Sequence, residues 1–101
     1  MTNTISKTIY EQLGGNKFAQ MTGSKYFMHT ANSLTFRVTK NAENVNAVRI
    51  TLNADDLYTC EFYCGNAANY KLKSHFTNVG ADQLCGIFTL ATGLYTSLFP
   101  N

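Results

Sequence analysis

Between residues 33 and 76 the chain alternates apolar and polar side chains, and toward both ends apolar side chains recur three or four positions apart. The first period belongs to half-buried strands, the second to amphipathic helices. At the start, Ile5, Ile9 and Leu13 form one stripe, Thr4 can cap it, and Gly14-Gly15 stops it. This predicts a helix over 4–13. Asn16 can cap a short second helix over 16–22 that carries Phe18 and Met21, with Gly23 closing it. Strands are predicted at about 25–30, 33–39, 47–52, 57–64 and 69–76. Leu34, Phe36 and Val38 point inward, as do Val48, Ile50 and Leu52, then Tyr58, Cys60 and Phe62, and finally Tyr70, Leu72 and Phe76. Thr35, Arg37, Arg49, Thr51, Glu61, Tyr63, Lys71, Lys73 and His75 point outward. Residues 40–44 form a polar loop, 53–56 a turn rich in Asn and Asp, and Gly65-Asn66 turns the chain. A last helix over 80–92 carries Leu84, Ile87, Phe88 and Ala91 and ends at Gly93. Leu94, Tyr95, Leu98 and Phe99 then form an apolar tail, placed on the sheet or in a homodimer seam.

The loops between strands are too short for parallel crossovers, which need a dozen or more residues. The expected fold is therefore a single α+β domain over 1–101. It has two layers: an antiparallel meander of four or five strands with the N- and C-terminal helices packed on one face. Charged residues make up 14% of the chain, against a usual ~25%. With 45% hydrophobic residues, that excludes intrinsic disorder, a coiled coil and a polybasic tail. No apolar run approaches the ~18 residues of a membrane span, and no basic segment feeds a hydrophobic stretch at Met1 to Ser6. The expectation is a protein that stays in the cytoplasm where it is made.

Candidate chemistry is sparse. Cys60 and Cys64 lie four apart on a strand, about 13 Å at ~3.3 Å per residue, which excludes a mutual disulfide or a shared zinc. Cys85 lies on the last helix, and no C-x-x-C is present. His29 and His75 have no nucleophile at supporting spacing. Asp55-Asp56 sits in a turn, where Asp is common for backbone reasons. Gly14-Gly15 lacks both the Walker lysine spacing and a third Rossmann glycine. The reading is therefore no enzyme, no cofactor and no metal.

The informative constellation is the outer sheet face. Alternation places Arg37, Arg49, Lys71 and Lys73 there with Tyr63, which is four of the eight Lys and Arg residues on one surface. With helices on the opposite side only, this face is open. It can bind a protein surface of complementary charge. It can also bind single-stranded nucleic acid by stacking, although Phe36, Phe62 and Tyr58 point inward and leave Tyr63 as the one platform.

The segments Gly14-Gly15-Asn16-Lys17-Phe18 through Met21-Thr22-Gly23, Leu34-Thr35-Phe36-Arg37, Val48-Arg49-Ile50-Thr51-Leu52, Asp56-Leu57-Tyr58 and Thr92-Gly93-Leu94-Tyr95-Thr96 give the chain a family likeness. It resembles a group of small uncharacterised proteins carried by bacteriophages, prophages and plasmids. The likeness covers nearly the whole chain and is most specific in the LGGNKF…MTG opening and the TGLYT close. No catalytic motif comes with it, so no site residue is carried over. The resemblance implies a mobile-element context, in which small accessory proteins often bind and block host machinery, including restriction and CRISPR effectors. The expected function is thus a non-enzymatic accessory protein acting by protein–protein binding, an inhibitor of host defence. The alternative is a nucleic-acid-binding accessory protein using the same basic face.

Overall fold

A computed structural model of the chain describes residues 4–41, 43–53, 55–65 and 69–94. Asn66 and the tail residues Tyr95, Leu98 and Phe99, on which sequence expectations rest, lie outside the described residues.

The elements follow the order α1 (Thr4–Leu13), α2 (Gly15–Thr22), β1 (Lys25–His29), β2 (Ser33–Arg37), β3 (Ala47–Leu52), β4 (Tyr58–Cys64), β5 (Lys71–Val79), a 3-10 turn (Ala81–Gln83) and α3 (Leu84–Thr92). The strands form one sheet in the order β1-β2-β3-β4-β5, every pair antiparallel. This is the α+β meander with a helix pair and a terminal helix packed on it that the alternation implies. The inward residues Leu34 and Phe36 of β2, Val48 and Ile50 of β3, and Tyr58, Cys60 and Phe62 of β4 meet Ile9 and Leu13 of α1, Phe18 of α2, and Leu84 and Phe88 of α3. All are essentially excluded from solvent.

At the centre Phe36 lies 5.5 Å from the Phe18 ring, 5.3 Å from Phe27 and 6.3 Å from Phe88. One β2 side chain thus joins the sheet to α2 and α3. Edge-to-face and tilted arrangements of this kind add to the burial of the rings themselves. Tyr58 ties β4 to α1 by donating its hydroxyl to Gln12 Oε1 at 2.8 Å.

The polar residues between strands act on the backbone. Asn41 Oδ1 accepts the N–H groups of Glu43 and Val45, and its Nδ2 donates to the carbonyls of Thr39 and Val45 at 2.9 and 2.7 Å. The loop so held carries Val45 into the core. Asn53 Oδ1 repeats the device, accepting from Asp55 and Leu57 at 3.0 and 3.2 Å. Local side-chain bonds of this type satisfy loop backbone that has no ladder partner. Asn16 is not the cap expected: α2 begins at Gly15, and Asn16 Oδ1 accepts the Tyr10 hydroxyl at 2.8 Å. Gly23 ends α2 at φ 64, and a Cβ there would stand 2.6 Å from Thr39 Cβ. Left-handed backbone and close approach both demand glycine at this position.

The sequence reading departs most from the structure in β5, which runs to Val79 instead of ending at Phe76. Phe62 pairs with Ser74, but Tyr63 pairs with Leu72, so Lys73 is an extra residue without a β4 partner. A bulge of this kind shifts the alternation by one. Leu72, expected inward, shares the face of Tyr63 and is 50% exposed. A second irregularity lies between the pairs Cys60–Phe76 and Tyr58–Val79, where Asn78 takes φ 56. A bulge in β1 sits between Lys25 and Met28 and contains Tyr26 at φ 60.

Candidate interaction surface

The outer sheet face is built from two adjacent rows that run across the strands. One row is Lys25, Arg37, Ala47, Tyr63 and Leu72, each paired with the next. The neighbouring row is Met28, Thr35, Arg49, Glu61 and His75. Three of the five residues singled out from the sequence, Arg37, Arg49 and Tyr63, therefore sit together in the middle of the face. Lys71 pairs with Cys64, one position past the bulge, so it follows the parity of the helix-facing side at the strand's end. Lys73, in the bulge, turns its ammonium to Glu43: it donates to the Glu43 carbonyl and lies 3.6 Å from the carboxylate. The bulge moves Lys71 off the face that strict alternation gives it, and the contacts with Glu43 engage the Lys73 ammonium.

The same bulges add residues that alternation did not point to. Tyr26 is 67% exposed, with the Lys25 ammonium 5.4 Å and the Arg37 guanidinium 5.8 Å from its ring centroid. Each such contact is worth ~0.5–1 kcal/mol at an exposed site and holds the cation over the ring. At the other end of that row, Tyr63 packs against Tyr70 with centroids 6.3 Å apart, and Leu72 lies beside it. Met28 is 63% exposed. The Tyr63 phenol is pushed above its ordinary range by burial and by the negative charge of Glu61, with which it also hydrogen-bonds, while Arg49 opposes the shift. The phenol therefore remains a neutral donor.

Charge on this face is lopsided. Lys25, Arg37 and Arg49 stand against Glu61 alone, since Glu11 lies in α1, Glu43, Asp55 and Asp56 in loops, and Asp82 in the 3-10 turn. Neither arginine closes an ion pair among the described residues. Two guanidinium groups, three tyrosines and two flexible apolar side chains on one open surface can recognise a partner by charge and stacking.

Other chemically suggestive residues are dispersed. The Cys60 thiol is pushed up to about 12 by burial, which leaves it without a usable thiolate near neutrality. Cys64 and Cys85 are unpaired thiols, and Cys85 Sγ lies 3.4 Å from the Leu13 carbonyl oxygen. Among the described residues no group of three His, Cys, Asp or Glu side chains could hold a metal. His29 is exposed, and its Nδ1 hydrogen-bonds Ser6 Oγ at 2.8 Å, with Ser6 fully buried. That hydroxyl is shielded from any substrate. No described helix is long and apolar enough to cross a membrane.

No family model matches the chain, and searches of curated proteins and of solved structures likewise return no match.

Proposed function

We propose that this protein is a non-enzymatic binding module whose open sheet face docks on an acidic patch of a protein partner. In the mobile-element context that the sequence resemblance implies, the partner is a host-defence effector such as a restriction or CRISPR nuclease, and docking inhibits it in the host cytoplasm. One observation carries the reading. The row from Lys25 through Arg37 to Tyr63 and Leu72, with the exposed Tyr26 ring beside Arg37, combines aromatic and apolar side chains with unneutralised guanidinium charge. Aromatic and arginine anchors of this type dominate the energetics of protein interfaces. The nucleic-acid alternative gains two aromatic platforms, Tyr26 and Tyr70, but loses two cations, Lys71 and Lys73. Three cations opposed by Glu61 neutralise few phosphates, and phosphate neutralisation supplies most of the affinity in such complexes.

The test is a set of single alanine substitutions titrated against the partner recovered from host cells. Arg37→Ala and Tyr63→Ala should each weaken binding by ~2 kcal/mol or more, about thirtyfold. Lys71→Ala and Lys73→Ala should change it little. Unchanged affinity in Arg37→Ala, Arg49→Ala and Tyr63→Ala together would end the sheet-face reading. A low-salt band shift with single-stranded RNA or DNA that vanishes as salt rises would replace it with the nucleic-acid one.

A further inference from the structure

The β1 bulge gathers arrangements that weaken a fold. Between the pairs Lys25–Arg37 and Met28–Thr35, Tyr26 and Phe27 stand against the single residue Phe36. The first residue of such a bulge, when it takes left-handed backbone, is ordinarily glycine. Here it is a tyrosine at φ 60. Phe27 turns into the core, where it meets the Tyr10 and Phe36 rings, but Tyr26 stays 67% exposed. Neither backbone nor core demands an aromatic there. Lys25 and Arg37 are like charges directly opposite each other on neighbouring strands, an arrangement that destabilises a sheet. Both cations sit beside the same ring, 5.4 and 5.8 Å from its centroid. Among the described residues neither closes an ion pair with a carboxylate. Glu61, the acid of this face, is engaged two strands away, where it pairs across the ladder with Arg49 and hydrogen-bonds Tyr63. Departures from local rules that coincide on one surface mark a functional site.

We infer that Lys25, Tyr26 and Arg37 form a clamp for a carboxylate, the Asp or Glu side chain by which a protein partner docks on the sheet face. The clamp rests on the binding-module reading above and gives that surface a polarity. The Arg37 guanidinium offers a fork of N–H donors, the Lys25 ammonium a second positive charge, and the Tyr26 ring holds both cations in place before the partner arrives. A bound carboxylate also relieves the repulsion between the two cations. At the other end of the same row, Tyr63 and Leu72 offer aromatic and apolar surface. Arg37 and Tyr63 are separated by two strand intervals, about 10 Å at ~4.8 Å each. The partner therefore presents a carboxylate and an apolar side chain at that spacing. A run of phosphates fits less well. It needs cations all along its path, whereas here they gather toward one end and Glu61 stands beside the Tyr63 end.

The probe is a tetraglutamate peptide, with tetraglutamine as its neutral counterpart, titrated into the isotope-labelled full chain at low salt and followed by amide NMR. Tetraglutamate should shift the signals of Lys25, Tyr26 and Arg37 saturably, with a dissociation constant of millimolar order, and tetraglutamine should not. Lys25→Gln and Tyr26→Asn should each weaken tetraglutamate binding at least about fivefold. Glutamine removes the like-charge pair and asparagine suits left-handed backbone, so both variants should unfold at a urea midpoint no lower than the parent's. Lys71→Gln should bind the peptide as the parent does. The absence of a saturable shift, or equal affinity in Lys25→Gln and Tyr26→Asn, overturns the inference. A midpoint that drops in Tyr26→Asn does so too, because the ring is then a structural part of the bulge. An octathymidylate strand that shifts the same amides at lower concentration than tetraglutamate puts phosphate in the carboxylate's place and also overturns it. The two readings fail separately: host-partner binding that is weakened by Arg49→Ala and Tyr63→Ala but unchanged by Lys25→Gln and Tyr26→Asn keeps the sheet face and discards the clamp.

Discussion

Leu72→Lys separates a regular β5 from the bulged one. Strict alternation turns Leu72 into the core, where lysine would bury an unpaired ammonium and cost several kcal/mol. The structure pairs Leu72 with Tyr63 on the outer face and leaves it 50% exposed. Full burial of a leucine is worth ~1.5–3 kcal/mol, so the half that remains covered is worth about half of that. A lysine stem can lie over the same surface with its head in water and recover part of it. The expected loss is therefore under ~1 kcal/mol, readable as a small shift of the urea midpoint at unchanged slope. A loss above ~3 kcal/mol, or failure to fold, would refute the bulge and return Leu72 to the core. The same variant should weaken partner binding, because Leu72 ends the row that begins at Lys25 and Arg37.

The remaining predictions concern the core. Phe36→Ala should cost ~3–5 kcal/mol in urea unfolding, a large share of the ~5–15 kcal/mol typical of a domain, because Phe36 is fully buried against Phe18, Phe27 and Phe88; a loss below ~1.5 kcal/mol would mean that the aromatic cluster does not join the layers. Cys60 carries a pH signature. Its thiol ionises at about 12 in the folded chain against an ordinary 9.0, so between those values the unfolded chain releases a proton that the folded one keeps. Stability should therefore fall as pH rises through that window, by up to ~1.4 kcal/mol per pH unit from this group. Cys60→Ala should unfold with a shallower alkaline slope than the parent, and equal slopes would contradict the buried thiol. Alkylation of the native protein near pH 8 should spare Cys60 and reach the half-buried Cys64 and Cys85.

The partner-binding reading rests on side chains that local pattern only partly reveals. Arg37, Arg49 and Tyr63 are legible because β2, β3 and β4 pair without interruption through their centres, so parity read along each strand carries across the sheet. Tyr26 is not legible that way. Its place beside Arg37 follows from a bulge in an edge strand, where one residue takes left-handed backbone to resume pairing. Tyr26 is an aromatic at an unfavourable φ, and nothing in its neighbours' hydropathy announces that conformation. Leu90 fell outside the apolar stripe at Leu84, Ile87, Phe88 and Ala91, and its exposure emerges only once α3 is laid against the sheet.

Period, caps and turn residues by themselves determined the order of elements, the antiparallel meander and the set of inward side chains on the three central strands. Those are local properties: alternation of two, recurrence near 3.6, and Asn or Gly where backbone must turn. Register at the sheet's edges was decided by the tertiary structure. A one-residue insertion costs little where one side of a strand has no partner, and it moves every following side chain to the other face. That single physical fact takes Lys71 from the candidate surface and brings Leu72 to it, while Lys73, left without a strand partner, is engaged by Glu43.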